Sequence, residues 1–118
     1  MKVIRYTQMP RYEAAHHDGM HCRRVQGYEV SPAQLGWQGL SWLLPGGRTS
    51  LASSTVEKLY LVLAGEVTIG DGSEEAVLRP YDSCYLAPGE SRQLRNDSAL
   101  PAAILLTMPY EARVLPDE

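Results

Sequence analysis

PGGRTSLASSTVEKLYLVLAGEVTIG, residues Pro45 to Gly70, reads as a turn, an approach segment, a long strand and a tight glycine exit. Pro45, Gly46 and Gly47 supply turn chemistry, and Leu59 to Leu63 form a near-continuous apolar run of strand formers. A run of that kind is expected to be buried on both faces. Side chains alternate along a strand, so Lys58, Tyr60 and Val62 share one face. The same alternation carried back through the approach segment adds Ser54 and Ala52.

The flanking sequence repeats short strands and corners. Upstream, Val3, Ile4 and Tyr6 suggest an edge strand interrupted at Pro10, and Ala14 to Arg24 reads as a loop leading into a strand. Cys22 to Glu29 and Leu35 to Leu44 read as two strands separated by Ser31-Pro32. The third long strand is Lys58 to Val67. Downstream, Gly70-Asp71-Gly72 is the strongest turn signal and joins Val67–Ile69 to Val77-Leu78 as a hairpin. Further corners at Arg79–Asp82, Pro88-Gly89 and Asn96–Ser98 bound short strands at Cys84–Leu86 and Arg92–Arg95 and a last hydrophobic strand from Ala102 to Met108. No segment carries the periodicity of an amphipathic helix. Short strands with frequent glycine and proline corners predict an all-β sandwich or barrel.

Composition narrows the function classes. A chain of 118 residues with 44% hydrophobic residues is expected to form one domain with a core of its own. The net charge of −3, with lysine and arginine scattered, gives no footprint for nucleic acid or a membrane surface. No apolar run is long enough to span a bilayer, and the N-terminus lacks an apolar targeting core. Two cysteines, Cys22 and Cys84, fit free thiols in a reducing compartment, so the cytoplasm is the expected location.

Two glycine-bounded blocks, Gly46 to Gly65 and LRPYDSCYLAPGESRQLRN (Leu78 to Asn96), resemble the two signature motifs of the cupin family, over roughly Leu40 to Met108. The resemblance implies a double-stranded β-helix, an RmlC-like jelly-roll barrel. It divides the single domain into an N-terminal strand and loop segment (1–30), a barrel core (40–108) and a tail (109–118). Gly46 and Gly65 match the ends of the first motif, and Asp82, Gly89 and Asn96 match the second. The ligand positions depart from the pattern. Ala52 and Ser54 stand where the first motif has two histidines, Lys58 stands at its metal glutamate, and Arg92 stands at the histidine of the second. The corner proline is displaced to Pro88, with Ala87 in its usual place. Alanine, serine, lysine and arginine do not hold a divalent metal at neutral pH, so neither a metal nor another cofactor is expected and iron oxygenase chemistry is disfavoured.

In the resembled fold the Lys58 face lines the pocket, where Lys58 and Arg92 converge. Two cations in a small apolar barrel repel each other unless an anion joins them or Glu57 turns inward, so the expected ligand is a small anion such as a carboxylate. Arginine offers a fork for a carboxylate, and a desolvated lysine beside another cation loses its proton more readily and acts as base or nucleophile. The plainer reading has Lys58 and Arg92 reaching solvent or pairing with Glu57, Glu90 or Asp82. Tyr60, Ser54 and Trp42 are further candidate binding residues, Trp37 and Trp42 being pocket wall or subunit interface. His16, His17, His21 and Cys22 are the one cluster of metal-type donors. We read them as a solvated loop from which His17 or His21 reaches the anion site as a proton-transfer group, the resembled fold commonly laying its N-terminal segment over the barrel mouth. Cys84 reads as a buried small hydrophobe without a catalytic role. Ser41, Ser53 and Ser54 lack a histidine-acid neighbour in sequence, so a serine hydrolase is unsupported. The expected function is a metal-independent isomerase or lyase acting on an anionic, carboxylate-bearing metabolite. The alternative is a noncatalytic module that binds one. The resemblance also implies a homodimer.

Overall fold

A computed structural model describes residues 1–111, so residues 112–118, most of the expected surface tail, lie outside the described residues. After a 3-10 turn at Tyr6–Gln8 the described residues form nine strands: β1 (Arg11–Tyr12), β2 (His17–Gln26), β3 (Trp37–Thr49), β4 (Lys58–Ala64), β5 (Val67–Gly70), β6 (Glu75–Leu78), β7 (Ser83–Leu86), β8 (Gln93–Arg95) and β9 (Ala102–Met108). They pair antiparallel in the order β6-β5-β8-β3-β9-β4-β7, with β2 on β3 and β1 on β2, and wrap into a nearly closed all-β barrel. The first ten residues form no edge strand. The Arg5 N–H donates to Gln8 Oε1, and the Met9 N–H donates to the Tyr6 carbonyl, which closes a turn before Pro10.

Pro45-Gly46-Gly47 lies inside β3, whereas the sequence predicts a turn there. Gly46, at φ 82°, bends the strand instead of ending it. Before the bend β3 pairs with β9, and beyond it Arg48 pairs with Arg95 of β8, so one strand passes from one wall of the barrel to the other. The Gly46 N–H donates to the Asn96 carbonyl and the Asn96 N–H to the Gly47 carbonyl, both at 2.9 Å. Across from the bend, a Cβ on Gly47 would lie 2.5 Å from the Gly19 carbonyl oxygen, so the two strands approach too closely for any side chain.

The apolar run around Tyr60 breaks at Gly65 into β4 and β5. Burial on β4 alternates. Lys58, Tyr60 and Val62 are buried, but Leu59 and Leu63 are 48% and 40% exposed, so the run is covered on one face and not on two. On the outer face Leu40 and Leu61 flank Leu105 in register, and Tyr85 stands beside Leu59, which makes an apolar strip across four strands. Inside, Leu43, Val62, Val67, Leu94 and Ile104 form the core, each worth about 1.5–3 kcal/mol of burial.

The hairpin at Gly70-Asp71-Gly72 forms as its residues predict, with the Asp71 carboxylate accepting from the N–H groups of Ser73 and Glu74 at 2.9 and 2.8 Å. The second motif's asparagine has a structural reason. Asn96 is 0% exposed. Its amide donates to the carbonyls of Leu43 and Leu100 at 3.0 and 2.8 Å, and its Oδ1 accepts from the Ser98 N–H at 2.9 Å, which pins the β8–β9 corner to β3.

Candidate functional site

The alternation of β4 aims Lys58 and Tyr60 into a cavity of about 210 Å³ at one end of the barrel, and Arg92 and His17 line it with them. Its floor is the apolar inner face of β9, Ile104, Leu106 and Met108. A larger groove of about 490 Å³ lies outside, bordered by Leu35, Leu59 and Glu57, and among the described residues it has no cationic side chain on its walls. The candidate site residues Lys58, Tyr60, Arg92 and His17 therefore meet in the smaller space.

Arg92 is fixed by an isolated bridge, its N–H donating to the Ala52 carbonyl at 2.8 Å and its carbonyl accepting from the Ala52 N–H at 3.0 Å. Its Nη1 donates to Thr49 Oγ1 at 2.7 Å, an oxygen that also accepts from the Leu94 N–H. The residue is 7% exposed, and its Nε has no hydrogen-bond partner among the described residues. A buried guanidinium that lines a cavity and has no ion-pair partner among the described residues favours an anion there. The Tyr60 hydroxyl lies beside the guanidinium without meeting hydrogen-bond geometry, and burial holds its pKa above the ordinary range.

Lys58 is 8% exposed and has neither a hydrogen-bond nor an ion-pair partner among the described residues. Desolvation, and then the Arg92 charge, push its pKa down to about 8. His17 pairs across from Thr49, the residue that holds Arg92. Its Nδ1 lies 2.8 Å from the Ala15 carbonyl, so Nδ1 carries the proton and Nε2 keeps a free lone pair. Burial, followed by the Arg92 and Lys58 charges, lowers its pKa, so the ring is neutral at pH 7.

Other sequence candidates lie elsewhere. His21 is exposed on the outer face opposite Trp42. Four residues apart on a regular strand, His17 and His21 would share a face. A register shift between Asp18 and Met20, at Gly19 with φ 63°, turns His21 outward. Trp42 points out as well, paired with Ala103, whereas Trp37 lines the cavity. Ser54 falls in the irregular segment between β3 and β4, where its hydroxyl donates to the Val56 carbonyl at 2.7 Å. Because that segment is no strand, the alternation that groups Ala52 and Ser54 with Lys58 does not reach them. Glu57 is exposed on the outer groove and does not turn inward.

Three cavity residues carry no sequence signal for it. Tyr12 arrives from β1, edge-on to Trp37 at 5.9 Å with the Arg24 guanidinium 4.1 Å over its ring. Ser41 donates to Cys22 Sγ at 3.2 Å, and Glu111 stands at the rim. The Cys22 and Cys84 thiols are free and burial raises both pKa values, which suits small hydrophobes and not nucleophiles.

The family's metal does not fit this donor set. An ammonium and a guanidinium stand where a carboxylate and an imidazole would ligate, and His16, His17, His21 and Cys22 do not gather on one face.

No family model matches the chain. It is 37% identical over 110 residues to the β-D-galactosidase Rv1717 of Mycobacterium tuberculosis, covering 93% of this chain and 95% of that protein. Its fold matches the polyketide cyclase RemF of Streptomyces resistomycificus with a TM-score of 0.83 at 16% identity, over 94% of this chain and 80% of that one. It also matches a cupin-superfamily sugar phosphate isomerase of Silicibacter pomeroyi with a TM-score of 0.78 at 20% identity, over 93% and 76%. An RmlC-like cupin of Shewanella frigidimarina superposes with a TM-score of 0.73 at 13% identity, over 90% and 87%. With the jelly-roll topology and the two motif corners in agreement with these structures, the chain has the cupin fold, and its near full-length relative places it in one family with Rv1717.

Proposed function

We propose that this cupin-fold protein is an enzyme of isomerase or lyase type that moves a proton next to the carboxylate of a small acid. The observation that carries the reading is the pair of buried cations, Lys58 and Arg92, which make no salt bridge among the described residues and share a largely apolar cavity with a single carboxylate, Glu111. Arg92 holds the carboxylate, the two charges stabilise the enolate that develops on proton loss, and His17 Nε2 takes the proton. The cavity lies below the roughly 300 Å³ at which pockets for drug-sized ligands begin, so the substrate is a small metabolite. The galactosidase relative supports a sugar-sized one, and D-galacturonate is the probe of choice.

Calorimetry with galacturonate and galactose tests the binding step. The acid binds and the neutral sugar does not, and Arg92→Met and Lys58→Met each weaken the acid at least tenfold. Unchanged affinity in both variants overturns the reading. Exchange of the proton beside the carboxylate in deuterated water, followed by NMR, tests the catalytic step. Binding without exchange leaves a noncatalytic module.

A second reading, hydrolysis of a β-galactoside, is favoured by the name of the 37% identical relative. Most glycosidases use two carboxyl groups about 5–9.5 Å apart, and among the described residues Glu111 is the one carboxylate on this cavity. Release of nitrophenol from a nitrophenyl β-galactoside, lost in Glu111→Gln and Tyr60→Phe, would establish it in place of proton transfer.

The apolar outer strip of Leu40, Leu105, Leu61 and Leu59 supports a homodimer in which two barrels pack sheet to sheet.

A further inference from the structure

We propose that Lys58 forms a Schiff base: its amine condenses with the carbonyl of a small oxo acid whose carboxylate Arg92 holds, an inference that rests on the anion-binding reading above. The chain has two lysines, Lys2 and Lys58, among its 11 lysine and arginine residues. Lys2 is exposed and Lys58 is buried in the cavity. Where positive charge alone is wanted the chain uses arginine almost throughout, and at position 58 it places the one cation that can become a nucleophile. An ammonium tied to a carboxylate is a poor nucleophile, and Lys58 makes no salt bridge among the described residues, Glu111 on the same cavity standing beyond ion-pair distance. Desolvation and the neighbouring Arg92 keep about a tenth of its amine uncharged at pH 7.

The step balances without an outside reagent. The nitrogen lone pair attacks the carbonyl carbon, a C–N bond forms, the C=O π bond opens, and one amine proton moves to the oxygen. The C–O bond of this carbinolamine then breaks, and the oxygen leaves as water with the second amine proton. Nothing is oxidised or reduced. Protonation of the imine gives an electron sink that weakens the adjacent C–H bond, whose proton goes to His17 Nε2, or the bond to the carboxylate. Ile104, Leu106 and Met108 keep bulk water off the imine.

The protein is incubated with pyruvate or acetoacetate, reduced with sodium borohydride and mapped by peptide mass spectrometry. Lys58 gains the mass of the acid less one oxygen, Lys2 stays unlabelled, and Lys58→Arg, folded by circular dichroism, gives no adduct. Arg92→Met lowers labelling at least tenfold, and methyl pyruvate, which lacks the carboxylate, labels no better than that variant. Absence of an adduct on Lys58 with both acids, or equal labelling of Lys2 and Lys58, overturns the proposal. If galacturonate still binds the wild type in calorimetry while no adduct forms, the Schiff base fails and the anion site stands. If neither occurs, both fail.

Discussion

Replacing Lys58 by methionine is expected to stabilise the protein at neutral pH. Desolvation and the Arg92 charge push the amine down to about 8 in the folded chain against an ordinary 10.5, a difference that, with solvent screening, is worth about 1–3 kcal/mol in favour of the unfolded state once the group is charged. The direction follows from proton binding. Above 10.5 the amine is neutral in both states and costs nothing. As pH falls through 10.5 towards 8 the unfolded chain takes the proton first, so stability drops, and below 8 the cost is complete. Methionine has nearly the same length, fills the same space and carries no charge. The Lys58→Met protein should therefore unfold at about 1–2 M more urea at pH 7, and melt about 4–10 °C higher, than the wild type. The gap should shrink towards zero by pH 10.5, and other titrating groups cancel in the difference. A saturating carboxylate ligand should narrow it too, because it binds the wild type more tightly and so stabilises it more. A variant less stable than wild type at pH 7 would show that Lys58 has a counter-ion. A gap equal at both pH values would show that packing, not charge, sets it.

Asn96→Ala removes two donors and an acceptor from a site with no water access, and should cost about 2–4 kcal/mol in urea denaturation while leaving the cavity side chains in place. Proton exchange should fall at least tenfold in His17→Ala and stay unchanged in His21→Ala, since one ring lines the cavity and the other faces outward. With the His17 pKa lowered, the wild-type rate should hold as pH drops through 6.5 and fall only in more acid solution, in a pH–rate profile of the wild type. Leu59→Glu with Leu61→Glu puts like charges on the outer apolar strip and should halve the mass found by sedimentation without unfolding the barrel.

The barrel was legible because its corners are made by residues with few other uses: Gly70-Asp71-Gly72 becomes a hairpin whichever strands it joins. The inward direction of Lys58, Tyr60 and Val62 was legible for a similar reason, since a period of two is enforced once one face is buried. Punctuation residues were ambiguous where strands bend. Gly46 and Gly47 serve a bend inside β3 as well as they would serve a turn, and composition does not separate the two. The bulge at Gly19 reversed the phase of β2, so His17 and His21 parted although their spacing puts them together. Tyr12 and Glu111 come to the cavity from the two ends of the described chain, and no local pattern reports such a meeting.

Positive charge stands at the ligand positions of this site in a different chemical form. A cupin metal brings about two positive charges to an oxyanion, and Lys58 and Arg92 bring two unit charges to the register positions of a ligating glutamate and histidine. A metal needs its donors deprotonated and gathered, whereas these cations need only apolar walls and an incoming anion. On the proposed reading, dialysis against a chelator leaves proton exchange unchanged, while Arg92→Lys, which keeps the charge and loses the fork, weakens galacturonate by about tenfold. Activity lost on chelation and regained with one divalent metal would mean that a cation held elsewhere performs the electrostatic work assigned here to Lys58 and Arg92.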